Sequence, residues 1–133
     1  MKQRVLSLVL GVSIASLAGG CSNKLSGAVE INGESYELAS CRSGAVYGFR
    51  GVELTTKGGH RVRIAATQTG EGFAAVMPPG AATGTEVGTC GPFSVEDQNS
   101  TINDVKNVEG TATLACEGGG FKLEGEIAFA NCH

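Results

Sequence analysis

Residues 108–129 read VEGTATLACEGGGFKLEGEIAF, and this stretch is the clearest guide to the fold. On both sides of the three glycines, apolar residues alternate with polar ones, which is the pattern of strands with one buried face. A loop of residues 117–120 would set apolar residues opposite apolar ones and leave the other face polar. It pairs Cys116 with Phe121, Leu114 with Leu123, Gly110 with Ile127 and Val108 with Phe129. We therefore predict a long β-hairpin here.

The same alternation runs through most of the chain after residue 28, in short runs rich in Val, Ile, Thr and Phe that glycine-rich turns separate. No window of helical length carries an apolar repeat of about 3.6 residues. We therefore predict one all-β domain, either a small antiparallel β-sandwich or a partly open barrel.

Two more hairpins are expected near the start of this domain. Asn32-Gly33 is a strong signal for a type I′ turn, which needs positive φ at both positions. That turn sets Val29 opposite Tyr36 and places Ile31 and Leu38 on the same face.

The second of these hairpins turns at residues 57–59, which read KGG. A two-residue loop would set Leu54 opposite Arg63, whereas a three-residue loop pairs apolar residues with each other. Those pairs are Leu54 with Val62 and Val52 with Ile64. We expect the three-residue loop, because it also leaves Glu53 beside Arg63 on the solvent-exposed face as a favourable cross-strand pair.

The middle of the domain has weaker patterns. Residues 45–49 and 73–77 look like strands, and Pro78-Pro79-Gly80 ends the second of them. Residues 81–88 are expected as a small-residue loop or an edge segment. Two further strands are expected to pair across a turn at residues 97–100, namely residues 93–96 and 101–105.

The N-terminus has the features of an export signal. A basic start precedes the uncharged apolar run of residues 5–18, which is too short to cross a hydrocarbon core of about 30 Å as a helix. Residues 17–21, LAGGC, resemble a bacterial lipobox, although the leucine lies one residue earlier than usual. We expect a signal peptide in residues 1–20, a lipidated Cys21 with a short tether in residues 21–27, and a single β-domain in residues 28–133.

The number of cysteines favours lipidation over an ordinary signal-peptidase cut after Ala18. The chain has five cysteines, and an odd count in an exported protein leaves a reactive thiol. A lipid on Cys21 leaves four cysteines, which can form two disulfides in an oxidising compartment. These four are Cys41, Cys90, Cys116 and Cys132.

The hairpin of residues 108–129 argues against a Cys116–Cys132 bond. Cys132 lies about 35 Å from Phe121 along an extended strand, and bridged cysteines need Cα atoms within about 7 Å. Two pairings remain: Cys41–Cys132 with Cys90–Cys116, or Cys41–Cys116 with Cys90–Cys132. We favour the first, because it ties the opening hairpin to the last strand and leaves the other bond as a local clamp.

The expected mature chain, residues 21–133, has 8 basic and 13 acidic residues, a net charge of −5, which argues against nucleic-acid binding. Its basic residues concentrate between positions 42 and 63, where only Glu53 opposes them. They are Arg42, Arg50, Lys57, Arg61 and Arg63. If they share a surface, it could face anionic lipid headgroups or an acidic envelope polymer. The other interpretation is that these basic strands lie beside acidic ones.

Few residues suit catalysis or metal binding. The two histidines are His60, on a hairpin loop, and His133, the last residue. A nucleophile needs a base within hydrogen-bond reach, and the four domain cysteines are better explained as disulfides. Residues 96–99 and Asp104 offer oxygen ligands, but their order does not match a calcium-binding loop. We expect no catalytic residue, no metal site and no cofactor.

Several short patterns recur together in one known family. They are the lipobox cysteine, a V-x-I-x-G strand at residues 29–33, Cys41 about eight residues later, a G-T-A-T strand at residues 110–113, and a last strand that closes on Cys132. In this layout the chain resembles the mycobacterial lipoprotein antigens typified by the 19-kilodalton antigen. The resemblance implies no enzymatic chemistry, and it implies that the two outer cysteines pair, in agreement with Cys41–Cys132. The chain departs from the family in having Cys90 and Cys116 and in lacking a long Ser/Thr/Ala-rich linker.

These observations together predict a membrane-anchored bacterial envelope lipoprotein that acts as a non-catalytic structural or binding module. We expect it on the extracytoplasmic side, at the outer membrane or cell surface. Its expected partners are the membrane, through the lipid, and an envelope protein or anionic envelope polymer. One alternative is an inhibitor or accessory protein of an envelope enzyme, similar to the small lysozyme-inhibitor lipoproteins. A hydrolase with unrecognised residues is the weaker alternative, because histidines are so few.

Overall fold

The computed structural model describes residues 22–133, which form eight strands and one short 3₁₀ helix. The elements in chain order are β1 Lys24–Ile31, β2 Glu34–Ser43, the 3₁₀ helix Gly44–Tyr47, β3 Gly51–Thr56, β4 Arg61–Ala66, β5 Glu71–Met77, β6 Thr85–Ile102, β7 Val105–Gly118 and β8 Phe121–Cys132. Each strand pairs antiparallel with the next, and β8 pairs with β1. The prediction of an all-β antiparallel domain is confirmed, and the sheet closes into a barrel.

Side chains from every strand point inward and fill the barrel. Inward and outward residues alternate along most strands, whereas in the first half of β6 the buried residues Val87, Cys90 and Phe93 recur at every third position. The fully buried core includes Val29, Leu54, Val62, Ile64, Val76 and Leu123. Phe93 and Phe129 stack with their ring centroids 6.2 Å apart. A barrel of about eight strands is just wide enough for its side chains to fill the interior, so functional side chains are to be sought on its outer walls and at its two ends.

The two ends of the barrel carry different connections. One end, which we call the terminal end, has the start of β1, the end of β8, the connection from β2 to β3 and the turns after β4 and β6. The other, the hairpin end, has the connections that follow β1, β3, β5 and β7.

The two hairpins predicted near the start of the domain are confirmed. Asn32 has φ 53° and Gly33 has φ 85°, as a type I′ turn requires, and Val29 lies opposite Tyr36. The loop of residues 57–59 closes with a hydrogen bond from the Thr56 amide to the His60 carbonyl, 2.9 Å. The predicted pairs of β3 with β4 are all present: Leu54 with Val62, Val52 with Ile64 and Glu53 with Arg63.

The predicted register of the β7–β8 hairpin is wrong by two residues. The turn is the two-residue Gly119-Gly120, both with positive φ, and Cys116 lies opposite Leu123. The loop was predicted too long because Gly118 looked like a turn residue. A Cβ at Gly118 would collide with the carbonyl oxygen of Val87, so this glycine serves close packing of β7 against β6. A shift of two residues keeps every side chain on its predicted face.

Residues 45–49, predicted as a strand, contain most of the 3₁₀ helix and a left-handed Gly48, φ 84°. The helix begins where the Ser43 hydroxyl accepts a hydrogen bond from the Ala45 amide, 3.2 Å. Such capping by a serine oxygen competes with strand formation. The strand predicted at residues 73–77 is confirmed as part of β5, which ends before Pro78.

The turn predicted at residues 97–100 is also wrong. β6 starts at Thr85, inside the predicted 81–88 loop, and continues to Ile102, with an irregular register after Asp97. The chain turns instead at Asn103-Asp104, with φ values of 50° and 64°. Asn and Asp tolerate the left-handed conformation that such a turn needs.

The favoured disulfide pairing is confirmed. Cys41–Cys132 joins β2 to β8 near the terminal end, with Cα atoms 5.1 Å apart. Cys90–Cys116 clamps the neighbouring strands β6 and β7, with Cα atoms 4.6 Å apart. Bonds that close loops of this kind typically contribute about 2–4 kcal/mol, a large share of the stability of a small domain.

β1 begins at Lys24, so residues 24–27, expected as part of a tether, pair with β8 instead. The expected signal peptide and Cys21 lie outside the described residues. Within residues 22–133, no helix is long and apolar enough to span a bilayer.

Candidate functional site on the outer wall of β2 to β4

A buried carboxylate lies on the outside of the barrel, in the middle of β3. Arg42, Glu53 and Arg63 occupy one cross-strand row on β2, β3 and β4. Only 2% of the Glu53 side chain is exposed, although its place in the strand alternation directs it away from the core. The prediction that Glu53 lies on a solvent-exposed face is therefore wrong, and something must cover it.

Two arginines compensate the Glu53 charge. Arg63 Nε donates to Glu53 Oε2 at 2.7 Å, and Arg61 Nη1 lies 3.9 Å from Glu53 Oε1. Burying an ionised carboxylate is costly unless it is paired and hydrogen-bonded. The arginine side chains themselves are partly exposed, 35% for Arg63 and 39% for Arg61. The pair thus holds the guanidinium groups in place while leaving them open to solvent.

Tyr47, at the end of the 3₁₀ helix, joins this group from outside the sheet. Its hydroxyl accepts a hydrogen bond from Arg42 Nη1 at 3.0 Å. Its ring faces the Arg63 guanidinium, with Cζ 4.4 Å from the ring centroid, a cation–π contact. Phe49 stacks on Tyr47 at 6.4 Å between centroids. The segment between β2 and β3 is therefore folded back over the wall, which explains the burial of Glu53.

The backbone of this segment favours that return. Gly44 packs against the Phe49 ring, where a Cβ would lie 2.5 Å from Phe49 Cε2. Gly48 supplies the left-handed residue that ends the 3₁₀ helix. Glycine at both positions lets the seven residues between β2 and β3 fold as a compact cover instead of extending into solvent.

We call Arg42, Tyr47, Glu53, Arg61 and Arg63 the arginine–tyrosine surface. It holds three guanidinium groups and one carboxylate, a local net charge of +2. Guanidinium groups bind phosphate and carboxylate oxygens through two parallel hydrogen bonds. Because Glu53 and Tyr47 already order two of the three arginines, an anion bound there would meet donors that have lost part of their rotamer freedom.

The other two members of the predicted basic cluster lie elsewhere. Arg50 is at the terminal end, where it donates to the Val95 carbonyl at 2.8 Å and lies 3.7 Å from Asp97. Lys57 is at the hairpin end and donates to Glu37 Oε2 at 2.5 Å. That hydrogen bond lowers the pKa of the Glu37 carboxyl. The structure therefore brings three of the five basic residues together and separates two.

The wall formed by β6, β7, β8 and β1 carries most of the acidic residues. Glu96 on β6 lies directly opposite Glu109 on β7, and Glu30 on β1 lies opposite Glu124 on β8. Like charges opposite each other on neighbouring strands repel. The positive charge of the arginine–tyrosine surface is thus confined to one wall of a domain that is otherwise acidic.

We call residues 44–50, between β2 and β3, the 3₁₀ segment. A cleft of about 370 Å³ opens beside it at the terminal end. Its lining combines apolar side chains with the Arg50–Asp97 pair; the residues include Ser43, Phe49, Arg50, Val95, Asp97 and Val108. The Ser43 hydroxyl caps the 3₁₀ helix, and Arg50 is held by Asp97.

The two histidines lie at opposite ends of the barrel. The His60 ring is 4.6 Å from the Tyr36 ring, and its Nδ1 is buried without a hydrogen-bond partner. His133 follows β8 at the terminal end. Residues 96–99, considered above as oxygen ligands, belong to β6. In the part of the chain that is described, no three His, Cys, Asp or Glu residues group closely enough to hold a metal ion.

Sequence reasoning found the arginines of this surface but missed Tyr47 and the burial of Glu53. The available signals were Gly44, Gly48 and Gly51, which break the alternation between β2 and β3 and indicate a turn better than a strand. No family model matches the chain, and no curated protein or solved structure is significantly similar to it.

Proposed function

We propose that the chain is a lipid-anchored module of the bacterial cell envelope and that its arginine–tyrosine surface binds an acidic envelope polymer. The observation that carries the proposal is the arrangement of Arg42, Arg61 and Arg63 around Tyr47 and the buried Glu53. The module has no catalytic chemistry of its own in this proposal. Its role is to hold the polymer close to the membrane.

The lipid anchor is supported by the cysteines. Four of the five form two disulfides, which leaves Cys21 as the cysteine outside those bonds. Stable disulfides belong to oxidising, extracytoplasmic compartments. Together with the lipobox-like residues 17–21, this supports export and lipidation at Cys21.

The charge distribution supports a polymer with repeated anionic groups. A molecule with a net charge of −5 repels a polyanion at long range, so binding must be local and must be sensitive to salt. Three arginines on one wall give several anionic groups of one chain a place to bind at once, and such contacts reinforce one another.

The test measures binding of two simple probes to residues 22–133, which contain every strand of the closed barrel and both disulfides. Inorganic polyphosphate carries phosphate groups and polyglutamate carries carboxylates. We expect binding of at least one probe at about 0.02 M salt and its loss at about 0.5 M salt, as screening predicts. Equal binding at both salt concentrations would contradict the proposal.

A matched pair of variants locates the binding site. Arg42→Gln with Arg61→Gln removes two charges from the arginine–tyrosine surface and keeps the Arg63–Glu53 hydrogen bond. Lys106→Gln with Lys122→Gln removes two charges from strands β7 and β8 of the acidic wall. We expect the first pair to weaken probe binding about tenfold, which corresponds to about 1.4 kcal/mol, and the second to change it less than about twofold. Similar losses for both pairs would mean that net charge alone governs binding.

A further inference from the structure

The 3₁₀ segment carries an apolar side chain that the fold does not use. Val46 is 52% exposed and is the one exposed large hydrophobic side chain in residues 22–133. A single exposed valine means little by itself. Its neighbours add to it, because Tyr47 and Phe49 are half-buried beside it and Ala45 is exposed. The segment therefore presents a small apolar and aromatic tip.

This tip lies at the same end of the barrel as the start of the described chain. Asn23 Oδ1 accepts a hydrogen bond from the Cys41 amide at 3.0 Å, and Asn131 Nδ2 donates to the Ser22 carbonyl at 3.2 Å. Cys41 is two residues before the end of β2, from which the 3₁₀ segment continues. Ser22 is therefore fixed beside the strand that leads to Val46, and Cys21 directly precedes Ser22 in the chain.

Basic residues flank the tip. Arg42 precedes the 3₁₀ segment and Arg50 ends it, and Lys24 begins β1 next to Asn23. The acidic residues of the terminal end lie on other strands: Glu71 begins β5, and Asp104 is in the turn after β6. Asp97 of β6 pairs with Arg50. The β1–β2 side of this end is thus more basic and more apolar than its β5–β7 side.

We propose that the β1–β2 side of the terminal end rests on the bilayer, with Val46 in the boundary between headgroups and acyl chains. Arg42 and Lys24 then contact the phosphates of anionic phospholipids, whereas Arg50 stays paired with Asp97 of β6. Aromatic and arginine side chains suit this boundary, because an apolar body and a polar head meet different surroundings there. The inference rests on the lipid anchor of the proposed function.

The short distance from the anchor makes a weak contact sufficient. Only Ser22 and Asn23 separate Cys21 from β1, so a lipid on Cys21 holds the barrel within a few ångströms of the headgroups. At such a high effective concentration, one valine and two basic side chains can set the orientation. The wall of β2 to β4 then stands beside the membrane, where Arg61 and Arg63 of the arginine–tyrosine surface remain open to a polymer.

Single tryptophans test the orientation, because the chain has no Trp of its own. The probe variant is Val46→Trp. One control is Gln68→Trp, exposed at the terminal end between β4 and β5, and the other is Ala82→Trp, exposed at the hairpin end between β5 and β6. Each 21–133 chain is coupled through Cys21 to a maleimide lipid in vesicles of phosphatidylglycerol and phosphatidylcholine that also contain bromine-labelled phospholipid.

We expect the bromine-labelled lipid to quench the Val46→Trp emission at least twofold more than either control. Equal quenching at all three positions, or stronger quenching of Gln68→Trp, would overturn the proposed orientation. Coupling the lipid chemically keeps this result independent of whether bacteria acylate Cys21. That separate question is answered by the mass of the N-terminal peptide of the protein extracted from bacterial membranes, where an unmodified Cys21 would contradict the anchor itself.

A second measurement tests the lipid contact without the anchor. Three forms of residues 22–133 are sedimented with phosphatidylglycerol vesicles at low salt: the unchanged domain, Val46→Ser and the control Ala82→Ser. We expect Val46→Ser to reduce the bound fraction at least twofold, whereas Ala82→Ser leaves it unchanged. Equal bound fractions for the unchanged domain and for Val46→Ser would show that Val46 does not enter the bilayer and would overturn the inference.

Discussion

The two walls of the barrel follow the same alternating pattern and end in different surroundings. On β7 and β8, outward residues such as Thr111, Thr113 and Glu126 are exposed to water. On β3, the outward Glu53 is as buried as the core, because Tyr47 and two arginines cover it. The difference comes from the seven residues between β2 and β3, which fold back over one wall and leave the other open.

This contrast separates two properties that alternation alone does not distinguish. Alternation tells which side chains face the barrel interior. It does not tell whether the opposite face is covered by another part of the chain. A charged residue on the outer face can therefore be a solvated surface group, like Glu126, or the centre of an ordered cluster, like Glu53.

The largest expected effect on stability is that of Glu53→Gln, with Glu126→Gln on the open wall as its control. Glu53→Gln leaves Arg63 and Arg61 without their carboxylate, and we expect it to lower the free energy of unfolding by about 2 kcal/mol. The figure is below that for a fully buried pair because both arginines are partly exposed. Glu126→Gln on the open wall should change it by less than about 0.5 kcal/mol. Urea unfolding of the two variants measures both, and equal small effects would remove the distinction between the walls.

Tyr47 is expected to contribute through two separable contacts. Tyr47→Ala loses the cation–π contact with Arg63 and the hydrogen bond from Arg42, and should cost about 1.5 kcal/mol. Tyr47→Phe keeps the ring and loses only the hydrogen bond, so it should cost about half as much or less. Thermal unfolding of both variants provides the comparison. If Phe and Ala destabilise equally, the ring over Arg63 contributes nothing.

The acidic wall should become more stable when its repulsion is relieved. Glu109→Lys places a positive charge opposite Glu96 on the neighbouring strand. A favourable cross-strand pair in place of a repulsive one should raise the free energy of unfolding by about 0.5 kcal/mol at low salt. The gain should fall in about 1 M salt, because the charges are exposed. A destabilised variant, or a gain unchanged by salt, would contradict this view of the wall.

The smallest effect is expected from the exposed Lys57–Glu37 pair at the hairpin end. The hydrogen bond from Lys57 lowers the pKa of Glu37 below its ordinary value of 4.5. A lowered folded-state pKa stabilises the fold above the ordinary value, and this contribution is lost as the pH falls through the folded-state value. The stability difference between the unchanged protein and Lys57→Gln should therefore be constant above about pH 5 and shrink towards about pH 3. Melting temperatures across that range measure it, and a difference that grows in acid would have the wrong sign.

Much of the fold could be predicted because its turns carry specific residues. Asn32-Gly33 requires positive φ, and the KGG loop is the one that pairs Leu54 with Val62. Both registers follow from those two facts. The register of β7 with β8 could not be read the same way, because Gly118 serves close packing against Val87 and only the next two glycines make the turn.

The candidate site was less predictable than the fold. Arg42, Arg61 and Arg63 are visible in the sequence as part of a basic cluster, and Glu53 is visible as a cross-strand partner. The cover over Glu53 includes Tyr47, which reaches Arg42 and Arg63 because Ser43 caps a 3₁₀ helix and Gly48 ends it. Such a cover depends on the path of the backbone between two strands, and no alternation of apolar and polar residues reports that path.

The central claim is that the arginine–tyrosine surface, and not the molecule as a whole, binds acidic polymers. The most direct measurement is an amide NMR titration of residues 22–133 with whichever probe binds, polyphosphate or polyglutamate, at low salt. The account predicts that the largest shifts lie in β2, β3, β4 and the 3₁₀ segment, centred on Arg42, Tyr47, Arg61 and Arg63, while β7 and β8 change little. Shifts spread evenly around the barrel, or centred on Lys106 and Lys122, would contradict it.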